Sequence, residues 1–222
     1  METFDSTKRS LSEIMKDVHS GKIQLPDFQR GWIWDDNRIK GILASVAKSF
    51  PIGAIMLLET GNENVRFKTK PVEGVKLDNE VKPDLLILDG QQRITSLYQT
   101  IVTNEAVTTR NEKNYAIKRW YYIDMEKAMN ENYDLEEAII SINEKKQITE
   151  DFGRHIVLDL SKKEFEFENL VYPVCMIDDY QTWRLEFNEY WQHDREKTKF
   201  WDAFERRVIT SFNNYMLPVI IM

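Results

Sequence analysis

Apolar residues fall at helical spacing in three stretches of the first hundred positions and form continuous runs in two others. Leu11, Ile14, Met15 and Val18 lie on one helical face. Ser10 is followed at capping-box distance by Glu13, so a short amphipathic helix is predicted over 11–19, ended at Gly21. Ile39, Ile42, Leu43, Val46, Ala47 and Phe50 define a second helix, capped by Asp35 or Asp36 and closed before Pro51. "AIMLLE" (54–59) and "DLLILD" (84–89) are uninterrupted enough to be buried strands. Between them, residues 60–83 carry Gly61, Pro71, Gly74, Pro83 and many charges, which predicts a polar excursion in the form of a ragged hairpin. Ile94, Leu97, Tyr98, Ile101 and Val102 then predict a third helix over 91–103, packed on the second strand.

"RWYYID" (119–124) reads as a further strand, after which the texture changes. "MEKAMNENYDLEEAIISINEKKQ" is charged and helix-prone, and shorter segments follow at "HIVLDLS" and "LVYPVCMI". Trp183, Phe187, Tyr190 and Trp191, continued by Phe200, Phe204 and Val208, predict two long helices or one broken near 193. The apolar "YMLPVIIM" at the end is strand-like, and an unpaired edge of that kind is an aggregation hazard. It is expected either to insert into the sheet or to be followed by more protein. The pattern gives an α/β (α+β) chain with a core over 1–124 and a mainly helical subdomain with a terminal strand over 125–222.

Composition narrows the class. An apolar content of 42% with 12% aromatics over 222 residues fits a folded chain and opposes disorder. Thirty Lys and Arg against thirty-seven Asp and Glu leave a formal charge of −7, which excludes the basic footprint of a dedicated duplex-DNA binder and leaves only local contact, as at Lys8, Arg9, Arg30 and Arg38. Cys175 is the one cysteine and is expected to pack in a core strand. The N-terminus lacks a signal-peptide core, and no stretch approaches the roughly 18 apolar residues of a membrane span, so a cytoplasmic protein with no membrane partner is expected. His19, His155 and His193 are scattered, and neither a Cys₄ nor a His-Glu-x-x-His pattern occurs, so no protein-built metal site is expected.

Chemistry concentrates at "DGQQR" (89–93), where a strand meets a helix. A helix start has unspent N–H groups and partial positive charge, and an Asp-Gly turn feeding it can present those donors to an anion. Arg93 adds a forked cation for phosphate or carboxylate, and Gln91 and Gln92 can orient a water or read a polar edge. Asp89 either helps hold a divalent metal bridged to phosphates or caps the helix. Taken singly, these residues also fit a solvated turn. The second polar cluster, Gln29 and Arg30 between Phe28 and Trp32 in "LPDFQRGWIW", is open to two readings, a recognition surface or a structural clamp.

Together, "LPDFQRGWIW", "SFPIGAIMLLE" and "LILDGQQRITSLY" resemble, in order and spacing, the N-terminal domain of GmrSD-type restriction endonucleases. The match falls on Pro26, Phe28, Gln29, Arg30, Trp32, Trp34, Phe50, Pro51, Gly53, Asp89, Gly90, Gln91, Gln92, Arg93 and Thr95. The resemblance implies a ParB/sulfiredoxin-like mixed-sheet core that binds and hydrolyses a nucleoside triphosphate with Mg²⁺. It further implies a catalytic set of Asp89, Gln91, Gln92 and Arg93, and a nucleotide-binding set of Gln29, Arg30, Gly90 and Arg93. Family members act in phage defence, coupling nucleotide turnover and recognition of modified DNA to a C-terminal HNH-type nuclease domain in the same or a partner chain. No paired His-Asn-His pattern occurs here, so nuclease activity is not expected of this chain alone. The competing reading is a non-hydrolytic ParB-like module that binds DNA or a partner protein.

Overall fold

Strand β1 (Asp5–Ser10) runs straight into helix α1 (Leu11–His19) in the computed structural model, which describes residues 5–61, 67–151 and 154–222. The junction is fixed by the predicted capping box: the Glu13 N–H donates to Ser10 Oγ at 3.2 Å, and the Ser10 N–H donates to the Glu13 carboxylate at 3.1 Å. After Gly21, in the left-handed region at φ 76°, comes β2 (Ile23–Pro26), all of it buried. Helix α2 (Asp36–Ala47) starts at Asp35, whose Oδ1 accepts the Arg38 N–H at 2.9 Å. Strands β3 (Ile55–Glu59), β4 (Thr69–Lys70) and β5 (Leu85–Asp89) follow, and β5 leads into α3 (Gln91–Ile101).

Joined by β12 (Met216–Ile221), these strands build a mixed six-stranded sheet in the order β1-β12-β3-β5-β2-β4. The terminal strand β12 lies antiparallel to β1 and parallel to β3, so the apolar end of the chain is inserted, as one of the two sequence alternatives required. β3 and β5 are antiparallel, β5 and β2 parallel. Among its described residues the excursion over 60–83 forms no hairpin of its own. Its ordered pairing is with β2, where Leu25 faces Lys70 and Pro26 faces Thr69, because β2 would otherwise be an unpaired edge.

The second half holds more strand than its composition predicts. Strand β6 (Val107–Arg110) and the long β7 (Ala116–Asp124) precede two short helices, α4 (Met125–Met129) and α5 (Leu135–Ala138). The run read as helix-prone turns within its length into β8 (Ile139–Asn143) and β9 (Gln147–Glu150), strands set in a second half that is otherwise mainly helical. Pairing decides the matter: Ile139, Ser141 and Asn143 of β8 sit opposite Ile123, Tyr121 and Arg119 of β7, with Ile139 and Ile142 buried, and tertiary context overrides local propensity. β10 (His155–Asp159) pairs with β9, and α6 (Lys163–Glu168) leads to β11 (Val171–Pro173) on β7. Cys175 is not in a strand. Pro173 has no N–H to continue the ladder, and the chain tightens into a 3₁₀ turn, Val174–Met176, that leaves Cys175 partly exposed.

Helices α7 (Tyr180–Tyr190) and α8 (Arg195–Phe204) are separated where predicted, by Gln192 and His193 at φ 51° and 57°. A π-helical turn, Glu205–Ile209, joins α8 to α9 (Thr210–Asn213). Trp183 and Phe187 stack at 5.2 Å between ring centroids, with Tyr172, Trp201 and Phe204 packed around them. One contiguous apolar core takes in Leu11 and Ile14 of α1, Ile87 of β5, Trp183 and Trp201 of these helices and Val219 of β12. No helix among the described residues is long and apolar enough to cross a membrane.

Candidate functional site

The end of β5 hands Asp89 to a turn that only glycine fits. Gly90 sits at φ 96°, and a Cβ there would lie 2.4 Å from Ile55 Cδ1 and 3.4 Å from Arg93 Nη2. α3 therefore begins without a side-chain cap. Its first internal bond runs from the Ile94 N–H to the Gly90 carbonyl at 3.0 Å, and the N–H groups of Gln91, Gln92 and Arg93 donate to no described residue. They border a cleft of about 240 Å³ lined by Gln29, Arg30, Trp34, Leu88, Asp89 and residues 90–93. The two polar clusters of the sequence thus face each other across one cavity.

Much of the polar chemistry is spent on holding the walls together. Gln29 Nε2 donates to the Leu88 carbonyl at 2.9 Å, tying the 29–34 loop to the end of β5. Gln91 Nε2 donates to the Arg30 carbonyl at 2.7 Å. Gln92 works in both senses, its Oε1 accepting the Ile33 N–H at 2.9 Å and its Nε2 donating to the Gly31 carbonyl at 3.3 Å. Trp32 Nε1 donates to Ser96 Oγ at 3.0 Å, and the Trp32 N–H to Glu73 Oε1 at 2.9 Å. Of the two readings left open for the loop, the clamp is therefore real. It leaves the Arg30 guanidinium exposed, donating to no described residue.

Arg93 draws in the third sequence block. Its Nη1 donates to the Ile52 carbonyl at 2.7 Å and its Nη2 to Asp89 Oδ2 at 2.8 Å. A Cβ on Gly53, itself at φ 89°, would come within 2.5 Å of Nη1, so "FPIG" is the recess into which Arg93 fits. "FQRGW", "FPIG" and "DGQQR" meet around one helix start, which gives a physical reason for their joint occurrence. The Asp89 side chain stays 65% exposed against 18% for Arg93, so the carboxylate opens to solvent while the cation is held behind it.

Among the described residues Asp89 is the one carboxylate lining this cleft, and no group of three or more His, Cys, Asp or Glu side chains gathers for a metal. That donor set fits an Mg²⁺ ion carried in on phosphates and touched by one carboxylate, and not an all-protein cage. The histidines lie elsewhere: His19 Nδ1 is 2.8 Å from the Tyr98 hydroxyl, His155 is on β10 and His193 is in the α7–α8 turn. Burial, reinforced by the nearby Glu166 carboxylate, pushes the Cys175 thiol up to about 11, so it is protonated at neutral pH. The sequence reading missed Glu73 and Lys70, the latter donating to the Gln29 carbonyl at 2.6 Å, because both stand in the charged excursion where no pattern marks them. Trp34 and the Ile52 carbonyl were also unassigned, although the "W" of the first block and the "PIG" of the second pointed to them.

An uncharacterized protein of Methanocaldococcus jannaschii is 29% identical over 201 residues, covering 85% of this chain and 32% of the relative, so the chain spans about a third of that protein's length. The profile described as "GmrSD restriction endonuclease, N-terminal domain" matches residues 11–222, which include all three converging blocks. The chain therefore belongs to the family of GmrSD restriction endonuclease N-terminal domains.

Proposed function

We propose that this chain is the nucleoside-triphosphate-binding and hydrolysing regulatory domain of a modification-dependent restriction system, built on a ParB-like core. One observation carries the reading: N–H groups at the start of α3 that have no partner among the described residues and the exposed Arg30 guanidinium face one cleft from opposite walls. Phosphate oxygens are the acceptors such a site suits, through backbone donors, the helix field and a charge-assisted contact. Arg93, fixed between Ile52 and Asp89, supplies a second cation and holds Asp89 where it can touch a phosphate-borne Mg²⁺. That ion would neutralise charge on the transferring phosphoryl group. With the side-chain N–H groups of Gln91 and Gln92 on loop carbonyls, the oxygen of Gln91 is the group left to orient a water. The Methanocaldococcus jannaschii relative is about three times the matched length, which leaves room in such a protein for the nuclease domain this module would control.

Purified chain with Mg²⁺ is expected to release phosphate from at least one nucleoside triphosphate and to be stabilised by it on heating. Arg93→Ala is expected to abolish binding, and Arg30→Ala to weaken it. Absence of both turnover and a thermal shift with all four nucleotides would sink the proposal. A second reading, a non-hydrolytic DNA-binding module, draws on a separate groove of about 940 Å³ bordered by Arg38, Arg110, Lys113 and Arg119. Asp35, Asp36 and Glu112 border it too, Arg38 is 3.4 Å from Asp35, and in the earlier patch Arg9 is paired with Asp17 at 2.5 Å. Gel shifts on modified and unmodified duplexes over a salt series discriminate the readings, since phosphate contacts give a steep salt slope.

A further inference from the structure

One pair of rings beside the cleft has no place in the core. Phe28 is 63% exposed and Phe67 44% exposed, and they meet edge to face with 5.3 Å between centroids and 70° between planes. The pair is held in register by backbone: the Asp27 N–H donates to the Lys68 carbonyl at 2.9 Å, and Pro26 faces Thr69 where β2 pairs with β4. Phe28 immediately precedes Gln29, whose side chain is pinned to the end of β5, and stands two residues before Arg30. Two residues of chain span at most about 7 Å, so the Phe28 backbone lies within that distance of Arg30, which lines the cleft together with Gln29.

We propose that Phe28, backed by Phe67, is the platform on which the base of the bound nucleotide stacks while its phosphates occupy the α3 cleft. This rests on the nucleotide reading above and adds the base subsite to it. An edge-to-face partner steadies a ring and leaves a face free for a third aromatic. A satellite of the core would be covered, whereas both these rings meet solvent. Exposed Lys68 follows Phe67 in the chain and exposed Arg30 stands two residues after Phe28, a combination of cations and aromatic faces suited to an anionic ligand carrying a base. Because each base has a π-face, the platform adds affinity with little choice among bases.

The test is calorimetric titration of the full chain, with Mg²⁺, using ATP, UTP and inorganic triphosphate. Phe28→Ala is expected to weaken both nucleotides by about tenfold, within the range for one lost base–aromatic stack, and to leave triphosphate affinity unchanged. Phe28→Trp is expected to restore nucleotide affinity, and Arg30→Ala to weaken all three ligands. Unchanged nucleotide affinity in Phe28→Ala, or an equal loss for triphosphate, overturns the platform. If Arg30→Ala still weakens every ligand in that case, the phosphate site survives alone. Loss of single-stranded oligonucleotide binding in Phe28→Ala without loss of nucleotide also overturns it and assigns the rings to nucleic acid. A wild-type chain that binds neither nucleotides nor triphosphate removes the site reading and this inference together.

Discussion

Gly90 is where a single atom decides whether the cleft exists. An alanine there pays the left-handed penalty of about 1–2 kcal/mol and also places its Cβ against Ile55 Cδ1, a residue with no exposure. Gly90→Ala is expected to destabilise by about 2–5 kcal/mol, the left-handed penalty plus the overpacking cost, and adding Ile55→Val, which removes Cδ1, to recover part of that loss. Denaturant unfolding of the two single variants and the double one measures the coupling, and strict additivity would show that the contact is not the cause. A second residue-level expectation concerns Glu166, 5% exposed, whose oxygens accept from the Tyr122 hydroxyl at 3.3 Å and Trp183 Nε1 at 3.2 Å. Burial raises its carboxyl above the ordinary range, outweighing the Trp183 hydrogen bond that lowers it. A raised folded value means the acid form is favoured by folding: the contribution is full below the unfolded pKa and lost as pH rises through the folded one. The stability of Glu166→Gln relative to wild type is therefore expected to improve from acid to neutral pH, read from urea midpoints, and a difference that does not move with pH would refute it. Residue types announced the cleft well. "DGQQR" and "FQR" could be singled out because their groups are polar beside apolar runs, but that both glutamines donate to loop carbonyls depends on a turn geometry that residue types do not encode.

Strand β12 carries the element-scale argument. It is hydrogen-bonded to β1 on one side and β3 on the other, and Leu217 and Val219 have no exposure, so it joins the N-terminal strand to the rest of the sheet. Leu217→Ala is expected to cost about 2–5 kcal/mol, the range for a buried leucine. Deletion of residues 216–222 is expected to abolish the cooperative unfolding transition seen by circular dichroism, because β1 loses its ladder partner; an intact transition would show that the sheet closes without it. The sequence made β12 visible through its apolar run, as it did β3 and β5. β1 and β2 were not visible. "DSTKRS" is polar and alternates nothing apolar, and "IQLP" is too short to show a period. β8 was hidden for another reason: "IISIN" follows a helix-prone stretch, and only its pairing with β7 makes it a strand.

At the scale of the whole molecule, a charge of −7 sets a background against unspecific duplex binding, so a functional response to DNA requires local recognition. The contiguous core has a thermodynamic consequence as well. Residues of α1, β5, α7, α8 and β12 share one apolar cluster, and the cleft at the start of α3 is walled by β5 and the loop after β2. Opening the cleft by unfolding therefore disturbs packing that reaches the last strand, and the described residues are expected to melt in a single transition. Ligand that binds only the folded state adds about 2.7 kcal/mol at a concentration one hundred times its Kd. For a chain of this size that corresponds to a rise in Tm of about 5–10 °C. Calorimetric scans with and without nucleoside triphosphate and Mg²⁺ are expected to show the whole endotherm shift by that amount, and Arg93→Ala to remove the shift. If only part of the endotherm moves, the cleft melts separately from α7, α8 and β12, and the shared core does not couple them.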